Sequence, residues 1–297
     1  MRFGRARRIT DMWLWLAVHA KLFSLFFTGL GALLALFYWR LLTETGGLPV
    51  DMQWYWQADP HNLYPHPELL QQNGYNYSPA FEIVVGWGRV LPFETFVAIW
   101  RAVLLGALVW LAGPFTIPVL LLFPVASEIN AGNIQILLAL AIVLAVRGGA
   151  WSAAWAFPLL TKVTPGVGIL WFLLRRQWRD LAIGVITTMA IAVVTMILWP
   201  ERWLGWLQLL TSGTPPPLPP FNLPFPPRFA LAVVTVGIAA WRGWKWPLVV
   251  AGTLALPAFY TLSPSMLVGV LPFARNALGR WAANRAYAAN AVELTPN

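Results

Sequence analysis

Apolar residues in this chain gather into long runs, separated by small clusters of Arg, Lys, Pro and Gly. The first run, residues 12–39, follows the basic head MRFGRARRITD. It is too long for a secretory h-region and lacks a clear cleavage site, so it predicts a retained helix over about residues 16–38, with Lys21 snorkelling. A short segment, residues 80–91, and a fuller one, residues 96–111, carry Arg89 and Arg101 at their facing ends and predict two helices turning at residues 92–95. The first of these falls short of the ~20 residues a free-standing span needs, which predicts a tilted or bundle-packed helix.

From Pro114 the pattern becomes irregular. Pro118 and Pro124, then Ser127, Glu128, Asn130, Gly132, Asn133 and Gln135, interrupt a stretch that is otherwise apolar up to Arg147. A broken helix at membrane depth needs protein or water to satisfy its backbone, so this stretch is expected to line a cavity. Residues 151–171 contain one interruption, LLTKVTPG, read as two short helices meeting near Lys162 in preference to one kinked span. Runs at 181–198, 229–241, 247–260 and 266–273 bring the expected total to about eight to eleven embedded helices in a single domain, 1–297, without internal repeats.

Two polar stretches stand out between these runs. Residues 43–78 form a long acidic and aromatic loop, and its part from Leu48 onward contains no Lys or Arg. It carries Asp51, Asp59, His61, His66 and Glu68, and connections this long are usually functional. Within it MQWYWQ suits a short interfacial helix. Residues 200–227 include TPPPLPPFNLPFPP, expected to be a rigid polyproline-like strap. The end, residues 275–297, is expected to be a loosely ordered cytoplasmic tail.

Composition narrows the class: 59% hydrophobic and 10% charged residues, with a positive mean hydropathy, indicate an all-α polytopic transmembrane helical bundle with short broken helices. The net charge of +9 lies in small groups at the ends of apolar runs, which fits the positive-inside rule and not a nucleic-acid surface. That distribution puts the amino terminus in the cytoplasm and the acidic loop and Pro-rich strap outside. With no Cys, disulfides, thiolate catalysis and Cys-ligated zinc are excluded. No P-loop, DxD or GxSxG motif is present.

Ionisable residues in apolar segments are functional candidates by default, each with a plainer alternative. Asp51 could be a base or a solvated cap; Glu82 and Glu128 could pair with a nearby Arg, the preferred reading for Glu82. Lys162, between Thr161 and Thr164, could snorkel or meet an anionic head group. Arg202 and Arg228 flank the strap and could face lipid phosphates generally or one leaving phosphate. His61, His66, Asp59 and Glu68 match no zinc spacing, so no metal site is assigned.

Several motifs run in order through most of the chain. Asp51 with Tyr55 and Ala58, Leu63-Tyr64, Tyr77-Ser78-Pro79 with Phe81, NAGNIQIL at 130–137, Lys162-Val163-Thr164-Pro165 followed by Arg175-Arg176, and Ser263-Pro264 together resemble glycosyltransferase family 87. These are membrane mannosyltransferases with a GT-C fold that use polyprenyl-phosphate mannose. The chain departs from the family pattern in two places: Gly132-Asn133-Ile134-Gln135 exchanges the usual amides, and Ser-Met-Leu follows Ser263-Pro264 where Trp and His are usual.

The resemblance implies a GT-C-like bundle with an external catalytic loop, in a prokaryotic plasma membrane. It also implies transfer of a hexose, mannose in the family, from a polyprenyl-phosphate donor to a glycan or glycolipid acceptor of the cell envelope by inverting displacement. Asp51 would be the general base. Lys162, Arg202 or Arg228 would hold the donor phosphate. Trp54, Tyr55 and Tyr77 would stack on sugar, with Glu128, Asn130, Asn133 and Gln135 as further substrate contacts. No cofactor beyond the donor is expected, and the sequence neither requires nor rules out a divalent metal. The other partners expected are membrane lipids, not nucleic acid; the oligomeric state is open. A lipid or solute transporter and a catalytically inactive membrane scaffold are the alternatives.

Overall fold

In an apolar medium each backbone N–H and C=O has to be bonded within its own segment, so the apolar runs fold as helices. The computed structural model describes residues 3–65, 74–212 and 224–293, and every regular element among them is helical. The principal helices are α1 (Phe3–Glu44), α2 (Val50–Gln57), α3 (Phe93–Ala112), α4 (Phe123–Ala131), α5 (Gln135–Ala145) and α6 (Ala156–Thr161). There follow α7 (Trp178–Leu198), α8 (Pro200–Ser212), α9 (Phe225–Arg242), α10 (Pro247–Leu254) and α11 (Leu271–Glu293).

Among the described residues, three helical stretches are long and apolar enough to cross a membrane: His19–Glu44, Phe93–Leu120 and Trp178–Leu198. The pair α4–α5, bent by 103°, makes a fourth if counted as one span. The expected eight to eleven embedded helices thus resolve into a few full crossings with shorter helices and 3-10 turns packed between them. On the first and last of the three, large side chains such as Leu25, Phe26, Leu33, Ile186 and Ile197 stay exposed, as expected of a lipid-facing surface. The chain is an all-α polytopic membrane protein.

The core lies between α3, α5 and the 3-10 turns Gly149–Trp155 and Ser263–Val270, around Leu104, Leu108, Ile136, Ile142 and Trp155, which are buried. Against it α1 packs on α3 and α11, α7 on Gly149–Trp155 and α6, and α9 on α10. Trp151–Trp171 is indeed broken near Lys162, between α6 and the 3-10 turn Thr164–Ile169.

Several boundaries differ from the sequence expectation. Helix α1 runs beyond residue 38 to Glu44 and stops only before Gly46 and Gly47, both at positive φ. The first part of the strap, residues 200–212, is helix α8, because Trp203, Trp206 and Leu209 recur on one helical face and are buried together. Residues 213–223 lie outside the described residues, as do His66 and Glu68. Helix α9 then begins with Pro226 and Pro227 in its first turn, where the missing N–H is not needed. The tail expected to be loose is helical to Glu293, its Ala and Arg residues being strong helix formers.

Glu82 pairs with Arg89 through two hydrogen bonds, Arg89 Nη2 to Glu82 Oε1 at 2.8 Å and Nη1 to Oε2. The Glu82 side chain is 4% exposed. Arg89→Met therefore strands a buried carboxylate and is expected to lower unfolding stability by about 3 kcal/mol, measurable by denaturation in detergent. The double variant with Glu82→Gln should recover most of that loss.

Candidate active site

The site begins with a short helix pressed into the bend between α4 and α5. Gly132 caps α4 in the left-handed region, at φ 80°, and a side chain there would collide with Met52 of α2. Glycine is what lets α2 sit this close. The base of the loop is fixed by Arg101, fully buried in α3. Its Nη1 donates to the Leu42 carbonyl (3.0 Å) and its Nη2 to the Asn130 carbonyl and Oδ1 (both 3.2 Å). Asn130 Oδ1 also accepts from the Leu48 N–H at 2.9 Å. One guanidinium thus ties the end of α1, the bend and the start of the loop together.

Asp51 stands in the first turn of α2, and Tyr55 lies one turn on, on the same face. Tyr55 is buried, its hydroxyl 3.0 Å from that of Tyr77, and its ring packs edge-on against Tyr77, Phe81 and Trp100. The next turn is anchored from below, since the Ser78 hydroxyl donates to the Leu160 carbonyl. Tyr64 Oη in turn donates to the Tyr77 carbonyl.

Opposite this aromatic wall stand Glu128, Asn133, Gln135 and Lys162. Glu128, buried, accepts the Gln135 N–H and so caps α5 with its own carboxylate. With its amide nitrogen turned inward, Gln135 also donates to Glu128 Oε1 (2.7 Å) and Asn133 Oδ1 (3.0 Å). Lys162 Nζ donates to Asn133 Oδ1 at 3.3 Å and lies 5.7 Å from the centre of the Tyr77 ring. Its ammonium interacts with the Asp51 and Glu128 carboxylates together.

The backbone that aims Lys162 is strained. Val163 has φ 53° and ψ −65°, and the Thr164 N–H donates to the Lys162 carbonyl at 2.7 Å, a γ-turn of the rare kind. A β-branched residue there costs about 1–3 kcal/mol, tolerated where the surroundings over-determine it. They do so here: Pro165 opens the following 3-10 turn and the Thr164 hydroxyl donates to the Ala255 carbonyl.

Burial raises the Asp51 carboxyl above the usual Asp range, opposed by the Lys162 ammonium and the Asn133 amide. Burial also pushes the Tyr55 and Tyr77 hydroxyls well above their ordinary value, reinforced at both by the charge of Asp51. Both stay neutral hydrogen-bond donors. Beside the cluster, an apolar groove of about 240 Å³ lies between Phe81, Val84, Phe157, Leu160 and Ile191.

The structure thus brings together Asp51, Tyr55, Tyr77, Glu128, Asn133, Gln135 and Lys162. The other candidates lie elsewhere. Asn130 serves the Arg101 latch. Trp54 borders a hollow with Gln57, Asn62 and Pro65. Arg202 stacks on Trp199, 4.7 Å from the ring centre, in a different cleft. Arg228 donates to the carbonyls of Leu254, Leu256 and Pro257 and so holds the end of α10.

Tyr260 belongs near the site as well, since the charge of Asp51 acts on its hydroxyl. The sequence signal for it is Ser263-Pro264: the Ser263 hydroxyl accepts the Tyr260 N–H at 2.8 Å and the Ser263 N–H returns to the Tyr260 carbonyl. Among the described residues no three His, Asp or Glu side chains gather as metal ligands would.

The model of glycosyltransferase family 87 matches residues 75–294 of the chain. The match covers Tyr77, the bent pair, Lys162 and Ser263-Pro264, and begins after α2. No curated protein and no solved structure matches.

Proposed function

Since the chain belongs to glycosyltransferase family 87, matched over about three quarters of its length, we propose that it moves a hexose, mannose as the first choice, from a polyprenyl-phosphate donor to a hydroxyl of an envelope glycan or glycolipid. The observation that carries this reading is the cluster of Asp51, Lys162, Glu128 and Asn133, which sets a carboxylate and a single ammonium within electrostatic reach of each other.

Transfer with inversion needs a base on one side of the anomeric carbon and charge stabilisation on the other. Asp51 accepts the proton of the attacking acceptor hydroxyl, and a new glycosidic bond forms as the bond from the anomeric carbon to the phosphate oxygen breaks. Lys162 stabilises the departing polyprenyl phosphate. Glu128, through Asn133 and Gln135, keeps that ammonium in place, and Tyr55 and Tyr77 offer neutral hydroxyls to sugar oxygens. The apolar groove beside Phe81 and Leu160 receives the first isoprene units. The donor's phosphoester supplies the driving force. Under this reading the site opens on the outer face and the amino terminus lies in the cytoplasm, as the charge pattern predicts.

The test is transfer of labelled mannose from a short-chain polyprenyl-phosphate donor in membranes carrying the protein. Product formation above empty membranes supports the reading. Absence of product with mannose and with other hexosyl donors, at normal protein levels, would sink it.

The raised Asp51 carboxyl sets the pH dependence. A base works only when ionised, so transfer should fall about tenfold per unit as pH drops below its pKa, on a limb above that of an exposed Asp. For stability the sign is opposite: burial disfavours the ionised form, so this group's contribution is fully present below its unfolded pKa and is lost as pH rises through the folded one. A pH–rate profile of kcat/KM checks the first: the acid limb should be present in the unaltered protein and absent from the residual transfer of Asp51→Asn, and its persistence there would assign the limb to another group.

A further inference from the structure

A second cleft, of about 480 Å³, opens between the loop segment 60–64 and the junction of α7 with α8. Among the described residues its lining holds one cation, Arg202, and one carboxylate, Glu201, together with His61, Asn62 and Trp199. Arg202 lies over the Trp199 ring, which orients its guanidinium, and it makes no ion pair among the described residues. The opposite wall is fixed too. Asp59 Oδ1 accepts the His61 N–H at 2.8 Å, and Gly205 of α8 packs so closely on Tyr64 that a side chain would meet the ring at 3.0 Å.

The location sets the depth. The cleft is lined by Leu198 and Trp199, directly at the end of a crossing helix whose last turns expose Val193, Val194, Met196, Ile197 and Leu198. Helix α8 exposes Leu204, Leu207 and Leu210 while its Trp203, Trp206 and Leu209 are buried, as in a helix lying along the membrane surface. A Trp at this level and an amphipathic helix beside it mark the headgroup layer, where lipid phosphates lie.

A purely anionic ligand would meet Glu201, and a purely cationic one would meet Arg202. A group carrying both charges satisfies the pair. We propose that this cleft binds the headgroup of a zwitterionic phospholipid bearing a primary ammonium, with the phosphate on Arg202 and the ammonium on Glu201. Arginine matches phosphate through paired N–H donors. The carboxylate prefers an ammonium with N–H donors to a methylated one. Because Tyr64 lines the cleft and its hydroxyl holds the Tyr77 carbonyl, the bound lipid also braces the aromatic wall of the first site.

The test is native mass spectrometry of the full chain in detergent with equimolar phosphatidylethanolamine, phosphatidylglycerol and phosphatidylcholine. The expected result is preferential retention of phosphatidylethanolamine. Arg202→Ala should lower that retention about tenfold, Arg202→Lys less, and Glu201→Gln should make the ethanolamine and glycerol lipids equal. Equal retention of all three by the unaltered protein would overturn the proposal without any variant, as would retention unchanged in Arg202→Ala. Displacement of the lipid by millimolar inorganic phosphate would show a free-anion site instead. Displacement by an added envelope glycolipid at equal concentration would make the cleft an acceptor site and equally overturn it.

Discussion

Asp51→Asn is expected to lower sugar transfer by about a hundredfold to ten-thousandfold, with the protein's level, helicity and melting temperature nearly unchanged. The amide keeps the shape of the carboxylate and can still face Asn133 and Lys162, but it cannot take a proton from the acceptor. Replacing a charge whose burial is unfavourable should if anything stabilise the fold. The measurement is single-turnover transfer beside circular dichroism on the same preparation. If transfer survives at the original rate, Asp51 is not the base, and Glu128 becomes the next carboxylate to replace.

Lys162→Met is the second large effect. Methionine keeps most of the side chain's length and removes the ammonium, the one charge placed to meet a departing phosphate in this cluster. Loss of such a contact typically costs about a hundredfold to a thousandfold in kcat. It also leaves the Asp51 and Glu128 carboxylates facing each other, so the variant should be less stable in neutral buffer than in mild acid, where one of them takes up a proton. A kcat that falls while stability is restored by acid fits both roles of Lys162. Unchanged kcat would place the leaving phosphate elsewhere.

Four members of the cluster stand out in the sequence as disruptions of apolar runs. Glu128, Asn133 and Gln135 interrupt an apolar run where backbone polarity is costly, and Lys162 is the one charged residue in residues 151–171. Those same breaks become the 103° bend and the γ-turn at Val163. The candidates that lie apart from the cluster share a physical reason. Arg202 and Arg228 look alike beside a Pro-rich stretch, yet one stacks on Trp199 in an open cleft and the other caps the carbonyls of α10. A guanidinium bonds carbonyls and phosphates with the same N–H groups, so only the neighbours distinguish them. Asn130 shares the NAGNIQIL motif with Asn133 and Gln135, but the turn at Gly132 sends it to Arg101. Tyr260 carries no signal of its own because its place depends on two hydrogen bonds exchanged with Ser263, three residues later.

The hydrogen bonds that hold the site also impose an order on synthesis. Leu48 waits for Asn130, Ser78 for Leu160, and Thr164 for Ala255, the last separated by 91 positions. While the chain is being made, Asp51 therefore leaves the ribosome long before the residues that surround it, and the γ-turn behind Lys162 loses its main support until α10 has been inserted. A nascent chain ending before residue 247 would carry every charged member of the cluster and still lack the Ala255 carbonyl that braces the turn behind Lys162.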